Sequence, residues 1–257
     1  MRGVVAHWKM NDNAASATVV DETGNYNGTY KNKDGSLNTS TGASTGMVGG
    51  ALSFDGPQAD GGTDEYIDTE DPFESTFQGS FSISVWVKPT DGRPPHSGYI
   101  VGVSTASEED CVWITHGNNG TITARYTSNG NASDYYSSEI PFTDGQQDWH
   151  HIVLVADSTI NNIGGLKLYF DGTLLLPLHP TLFRGNTADV VFADFASTSN
   201  LYIGAENYAV NTNEYCGLID NVILFERALD AREIYRQYIL YRTSRGRSRD
   251  RFDWKNW

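Results

Sequence analysis

Between residues 111 and 136 the chain gathers aromatic, amide and imidazole side chains suited to a recognition surface: Trp113, His116, Asn119, Tyr126, Tyr135 and Tyr136. Aromatic rings cover apolar faces of a ligand, while amides and imidazoles hold its polar groups. Exposed tyrosine is amphipathic and loses little entropy on ordering, so this group is the first candidate binding set. Asn207 and Tyr208, in a loop ahead of the last strand, form a second. The competing expectation for Trp113 and Tyr126 is burial between sheets, the usual fate of large aromatics.

Catalytic chemistry is much less visible. Cleaving a glycosidic bond takes two carboxylates about 5–9.5 Å apart, and no strand carries acids in a Glu-x-Asp-x-x-Glu alternation. The acid-rich stretches, Asp64-Glu65 to Asp71 and Glu108-Glu-Asp110, lie beside Gly and Pro and read as a solvated rim. No Ser/His/Asp set can be placed, and no Cys/His spacing suits zinc. No catalytic residue is assigned.

The C-terminus combines charge with large aromatics. Residues 242–257 hold six cations against two acids, among them Arg245, Arg247, Arg249 and Arg251, and they end on Trp254 and Trp257. Arginine pairs bidentately with carboxylates and tryptophan anchors interfaces. The segment is therefore read as a docking tail for a protein partner or a neighbouring subunit. Its net charge is +4, which leaves −18 on residues 1–241 of a chain whose total is −14. So acidic a body argues against nucleic acid as its partner.

These groups must be positioned by strands. Phe81–Pro89 alternates at period two, with Phe81, Ile83, Val85 and Val87 on one side and Ser82, Ser84, Trp86 and Lys88 on the other. His150–Ala156 and Leu166–Phe170 repeat the pattern, and Asp171-Gly172 supplies the positive φ angles of a tight hairpin into Thr173–Pro177. Asn118-Asn119-Gly120 turns Cys111–His116 into Thr121–Thr127. Further strands are expected at Val4–Met10, Gly28–Asn32, Ala51–Asp55, Tyr66–Thr69, Tyr99–Val103, Tyr135–Phe142, Val190–Phe192, Leu201–Gly204 and Gly217–Glu226. One helix is expected, Asp230–Tyr241, with Asp230 and Glu233 at capping-box spacing and Ile234, Tyr238 and Tyr241 as its apolar stripe. Crossover helices are missing, so the fold class is all-β: a two-sheet antiparallel jelly-roll β-sandwich with one short C-terminal helix.

A chain of 257 residues suits one such domain, and no apolar run is long enough to span a membrane. Residues 1–7 lack the apolar core of a signal peptide, so no leader is expected in this sequence. Cys111 and Cys216 are read as separate thiols rather than a bridge. Four Asn-x-Ser/Thr sequons, at Asn27, Asn38, Asn119 and Asn131, carry little weight in so Asn-rich a set of turns.

Several blocks fall in a familiar order: Val4-Val-Ala-His-Trp-Lys-Met10, Asp21 to Thr29, Gly49-Gly-Ala-Leu-Ser-Phe-Asp-Gly56, Phe81 to Pro89, Trp149-His-His-Ile152, Leu168 to Gly172, and Gly217-Leu-Ile-Asp-Asn-Val222 running into Arg227 to Ile234. Together they resemble the laminin-G-like (concanavalin A-like lectin/glucanase) jelly-roll family over residues 3–241. The resemblance implies the sandwich fold, glycan binding as the commonest role, and one of the two histidines 150 and 151 pointing into the core. It also implies a Ca2+ ion in a rim loop or between the first and last strands. The oxygens on offer there are Asp12, beside Asn11, and Asp220; the alternative for Asp220 is a carboxylate held by backbone N–H groups.

The expectation is a non-catalytic glycan-recognition module at 1–241, extracellular or on a virion surface, mounted on a larger assembly through the tail at 242–257. A decoration or fibre protein of a virus or phage particle is the rival. A glycan-cleaving enzyme with an unrecognised acid pair is the weaker alternative.

Overall fold

A computed structural model describes residues 2–12, 16–39, 42–56, 64–105, 107–136, 140–160, 165–176, 191–206 and 213–244. In chain order the strands are β1 (Val4–Trp8), β2 (Thr18–Val19), β3 (Gly28–Lys31), β4 (Ala43–Thr45), β5 (Gly50–Asp55) and β6 (Tyr66–Asp68). A one-turn helix α1 (Glu74–Phe77) precedes β7 (Phe81–Pro89), β8 (Gly98–Ser104), β9 (Cys111–His116), β10 (Ile122–Ser128) and β11 (Asn131–Tyr136). Then come β12 (His150–Ala156), β13 (Leu166–Phe170), β14 (Thr173–Leu174), β15 (Tyr202–Ile203), β16 (Cys216–Phe225) and the helix α2 (Ala231–Ser244).

These strands form two antiparallel sheets. The first runs β14-β13-β12-β7-β16-β5-β4 with β1 added along β16; the second runs β11-β10-β9-β8-β15-β6-β3-β2. Strand β16 serves two neighbours in turn, pairing β5 through Cys216–Ile219 and β1 through Val222–Phe225. The change of partner coincides with a register shift against β7 between Asp220 and Ile223, where Asn221 takes a φ of 48°. Such an irregularity bends a strand and re-aims its side chains.

The alternation of β7 places Phe81, Ile83, Val85 and Val87 in the core between the sheets, with Ile152 and Leu154 of β12. Val101 and Val103 of β8 and Val112 and Ile114 of β9 meet them from the other sheet. Each such side chain contributes about 1.5–3 kcal/mol on full burial. The other side of β7 is not solvated either, because α2 lies across it. Ile234 packs with Val153, Val155, Ile223 and Phe225, while Tyr238 stacks on Trp86 with ring centres 6.0 Å apart. Ser84 Oγ meets His151 Nε2 at 2.9 Å and donates to Gln237 at 3.2 Å under the helix. The expected capping box is present: Asp230 Oδ1 accepts the Glu233 N–H at 2.9 Å, and Glu233 Oε2 accepts the Asp230 N–H at 3.0 Å.

Both residues of the histidine pair are buried, on opposite faces of β12. His150 stacks on Phe170 with ring centres 4.6 Å apart, and His151 lies under α2. Burial pushes the His151 pKa down to about 3. The Asp171-Gly172 turn has φ values of 50° and 78°, the two positive angles that its sequence requires.

Some elements differ from expectation. Residues 192–194 form a 3-10 turn rather than the end of a strand, and Val190 lies outside the described residues. The strand expected at Tyr135–Phe142 is displaced toward the N-terminus, to Asn131–Tyr136, since Ser128-Asn129-Gly130-Asn131 closes a tight hairpin with positive φ at Asn129 and Gly130. Thr173–Pro177 shortens to Thr173–Leu174. Helix α1 and the strands β2 and β4 carry too few residues for periodicity to register. Both cysteines are free.

Candidate functional site

With α2 seated on the first sheet, the outer face of the second sheet carries no helix among the described residues. The hairpin β9–β10 decides which residues reach that face. Its register pairs Trp113 with Arg125 and Val112 with Tyr126, so Trp113 and Arg125 point outward while Tyr126 points into the core. The Gly117–Thr121 turn fixes this register: Gly117 and Thr121 share a backbone hydrogen bond of 2.8 Å, and Gly120 takes a φ of 82°. Asn119 is spent on the turn, its Oδ1 accepting the Thr121 N–H at 3.2 Å and hydroxyl at 2.6 Å.

On the outer face the Trp113 ring lies between two neighbours. Tyr99 of β8 meets it edge-on at 5.8 Å, and the Arg125 guanidinium sits over it at 5.1 Å. Arg125 Nη1 also pairs with Glu108 Oε2 at 2.6 Å. Gly102, directly across from Trp113, has no side chain, and the chain leaving β15 passes over it: a Cβ there would stand 2.8 Å from the Glu206 Cα. Glu206 is thereby laid beside Trp113, and its carboxylate hydrogen-bonds the hydroxyls of Tyr99 and Ser104. Burial raises the Glu206 pKa above the ordinary carboxylate value, and burial raises that of Tyr99 as well.

Two polar atoms in this cluster lack partners. Glu206 Oε1, an acceptor, and Trp113 Nε1, a donor, are shielded from solvent and have no hydrogen bond among the described residues. Buried polar groups are nearly always satisfied, so an orphaned donor and an orphaned acceptor on one face need an account.

A family model for the concanavalin A-like lectin/glucanases superfamily matches residues 60–235, about two thirds of the chain. The chain belongs to that superfamily. No curated protein sequence matches it. Among solved structures it is similar to the botulinum neurotoxin type G receptor binding domain, at 16% identity and TM-score 0.57, covering 93% of this chain and 51% of that one. It is similar also to domain 4 of AbnA, an extracellular GH43 arabinanase from Geobacillus stearothermophilus, in complex with arabinotriose: 20% identity, TM-score 0.56, 91% of this chain and 97% of that one. A third is Trypanosoma rangeli sialidase in complex with the inhibitor DANA, at 17% identity and TM-score 0.55, covering 91% of this chain and 32% of that one. The chain thus spans about half of the toxin domain and a third of the sialidase. Identities this low establish the shared fold, which receptor-binding and carbohydrate-binding domains use.

The residues singled out from sequence separate into three groups. Trp113 alone of the aromatic set is seen on the outer face. Tyr126 is a core residue, 1% exposed, stacked on Phe192 at 4.5 Å and donating its hydroxyl to the Phe77 carbonyl at 2.8 Å. His116 is also inside, 1% exposed, against Phe142 and bonded to the Gly92 carbonyl at 2.9 Å; burial pushes its pKa down to about 4. Both are corrections with one cause: they share the inward parity of Val112 and Ile122. Tyr135 and Tyr136 pair with Ala124 and Thr123 through their backbones on β11, and their side chains lie outside the described set. Asn207, Tyr208, Arg245, Arg247, Arg249, Arg251, Trp254 and Trp257 also lie outside the described residues.

The carboxylates of Asp12 and Asp220 are both engaged by hydrogen bonds from the chain. Asp220 is wholly buried, and its carboxylate accepts from the Val48, Met47 and Asn221 N–H groups and the Asn221 amide. Asp12 accepts the Val20 N–H at 3.1 Å. Among the described residues no three His, Cys, Asp or Glu side chains converge as metal ligands. The donors around Asp220 satisfy its carboxylate, although burial outweighs them and raises its pKa well above the ordinary value.

Tyr99, Gly102, Arg125 and Glu206 went unrecognised in the sequence. Arg125 was legible in principle, since pairing the hairpin about Asn118-Asn119-Gly120 sets it opposite Trp113. Glu206 had no local signal, because its position depends on a strand distant in sequence.

Proposed function

We propose that this protein is a non-catalytic carbohydrate-recognition module that binds its ligand on the outer face of the second sheet, around Trp113 and Glu206. The observation that carries this reading is that Trp113 Nε1 and Glu206 Oε1, on two residues that share Tyr99 and Arg125 as neighbours, both lack a hydrogen-bond partner among the described residues. A sugar hydroxyl both accepts and donates, so a polyhydroxylated ligand suits a donor and an acceptor left open on one face. Access requires the Arg125–Glu108 arm to swing off the indole. Glu108 is 54% exposed but Arg125 only 17%, so the ion pair and the partly desolvated cation–π contact together hold such an arm by about 2–3 kcal/mol. The bound arabinotriose of the AbnA domain supports the same ligand class.

Catalysis has weaker support. Glu108 is engaged by Arg125, which leaves Glu206 without a second open carboxylate in the cluster. Screening on an oligosaccharide array, followed by titration calorimetry, tests the proposal. Trp113→Phe keeps a ring but removes the N–H, and Glu206→Gln replaces the acceptor pair. Each is expected to weaken binding by about tenfold or more, the usual cost of stranding one buried hydrogen-bonding group. Turnover of any oligosaccharide would replace this reading with the enzymatic one.

The basic aromatic tail then serves as the mount, docking on the acidic body of a second copy. Helix α2 carries the chain to Ser244 across the first sheet, away from the ligand face. Sedimentation of the full chain against residues 1–244 checks this: assembly that weakens with salt and disappears on truncation is expected, and two equally monomeric species would end the idea.

A further inference from the structure

We infer that the ligand of the Trp113–Glu206 face is an uncharged glycan, and that sugars carrying carboxylate or sulfate groups are rejected there. This rests on the recognition reading above and adds to it the charge class of the ligand.

The inference comes from the disposition of cations on that side of the molecule. Binding an acidic sugar takes a cation or a cluster of donors not already committed to a protein carboxylate. Among the described residues the second sheet carries Lys31 on β3 and Arg125 on β10, with Lys33 just after β3, and each has a carboxylate of its own. Lys31 Nζ lies 2.9 Å from Asp68 Oδ2, Lys33 Nζ lies 2.8 Å from Asp64 Oδ2, and Arg125 Nη1 lies 2.6 Å from Glu108 Oε2. Asp68 is further held by the Asn200 amide at 2.8 Å, so the Lys31 pair is fixed within a network.

Carboxylates, by contrast, are in excess. Glu206 offers Oε1 without a partner, and Glu214, 1% exposed, has both oxygens without hydrogen bonds, its nearest cation being Lys33 at 3.9 Å. Burial raises the pKa of both acids, the response of carboxylates that lack compensating charge. An anionic ligand on Trp113 would therefore meet the carboxylates of Glu206 and Glu108, which lie near one another in a partly desolvated place where like charges repel strongly. A neutral sugar meets none of this, and its hydroxyl protons are what Glu206 Oε1 lacks.

The stance of Arg125 matters for the same reason. When the arm swings aside to uncover Trp113 it moves as the Arg125–Glu108 pair, so opening the site adds no uncommitted cation. The body as a whole, at −18 over residues 1–241, adds a long-range field of the same sign.

Matched ligands test the inference: lactose against 3′-sialyllactose, and arabinotriose against trigalacturonate, titrated into the full chain at low and high salt. The neutral member of a pair should bind at least tenfold more tightly in 20 mM salt, and the gap should narrow at 500 mM as repulsion is screened. Glu206→Gln should narrow it at low salt too. Equal or tighter binding of the acidic member overturns the inference while leaving the recognition reading intact. Failure of all four ligands, and of a broad neutral array, defeats both.

Discussion

Gly102 lies directly beneath the Cα of Glu206, so that a single methyl group at position 102 would intrude to 2.8 Å. The site depends on that missing side chain. Without it the chain leaving β15 can settle on the sheet and bring the Glu206 carboxylate beside Trp113. Gly102→Ala is expected to push Glu206 off the face, with glycan affinity falling about as far as in Glu206→Gln. The clash is with backbone, so overpacking should also cost about 1–3 kcal/mol, lowering the Tm by a few degrees in a chain of this size. Calorimetry of unfolding and of binding separates the two. A variant with intact affinity would show that Glu206 does not need this seat.

The fold was legible because its signals are local and repeated. Phe81–Pro89, Cys111–His116, His150–Ala156 and Leu166–Phe170 coincide with observed strands, since alternation over five or more residues leaves little room for another structure. The site was less legible for a reason of parity. In Cys111-Val-Trp-Ile-Thr-His116 the core side is even-numbered, so Trp113 faces out and His116 faces in, although chemical type alone groups them together. A one-residue change in the Gly117–Thr121 turn would have exchanged Tyr126 with Arg125. Glu206 reaches the site through the pairing of β15 with β8, about a hundred residues apart in sequence, and no local pattern encodes that.

Helix α2 is closed at its start by the Asp230–Glu233 box, and Glu233 also binds Arg227 through both carboxylate oxygens, at 2.7 and 2.8 Å. Asp230→Ala removes the acceptor for the Arg232 and Glu233 N–H groups and should cost about 1 kcal/mol. The Arg227 side chain holds the Glu233 pKa below the ordinary carboxylate value. A depressed carboxylate contributes stability that is complete above its unfolded pKa and lost as pH falls through the folded one. Glu233→Gln should therefore lower the urea midpoint at pH 7 and leave it close to wild type near pH 3. Equal losses at both pH values would assign the effect to packing instead.

The two thiols should differ in reach but not in number. Cys111 is fully buried, donates to the Thr127 hydroxyl at 3.3 Å, and has its pKa pushed up to about 12 by burial. The thiolate is the reactive form, so a disulfide reagent should leave Cys111 unlabelled in the native protein and label both cysteines after unfolding in denaturant. Peptide mass mapping without prior reduction reads this directly. A single disulfide-linked peptide pair in place of two labelled thiols would contradict the fold around β9 and β16.

Acid should destabilise the protein through its buried imidazoles. Burial lowers the pKa of His7 and His116 to about 4 and of His151 to about 3, whereas in the unfolded chain each titrates at 6.5. Between those limits the unfolded state binds a proton that the folded state refuses, so stability falls as pH drops below 6.5 and levels off near 4. For His116 alone the loss at pH 5 is on the order of 2 kcal/mol. Glu206, Glu214 and Asp220 act in the opposite direction, because burial raises their pKa values and the folded state then takes up protons first. The wild-type pH profile mixes both, and a substitution separates them. His116→Gln keeps a donor for the Gly92 carbonyl and cannot titrate, so it should be less stable than wild type at pH 7 and should close that gap by pH 5. Urea midpoints of the two proteins that run parallel from pH 7 to 5 would mean that His116 is protonated, and so solvated, in the folded chain.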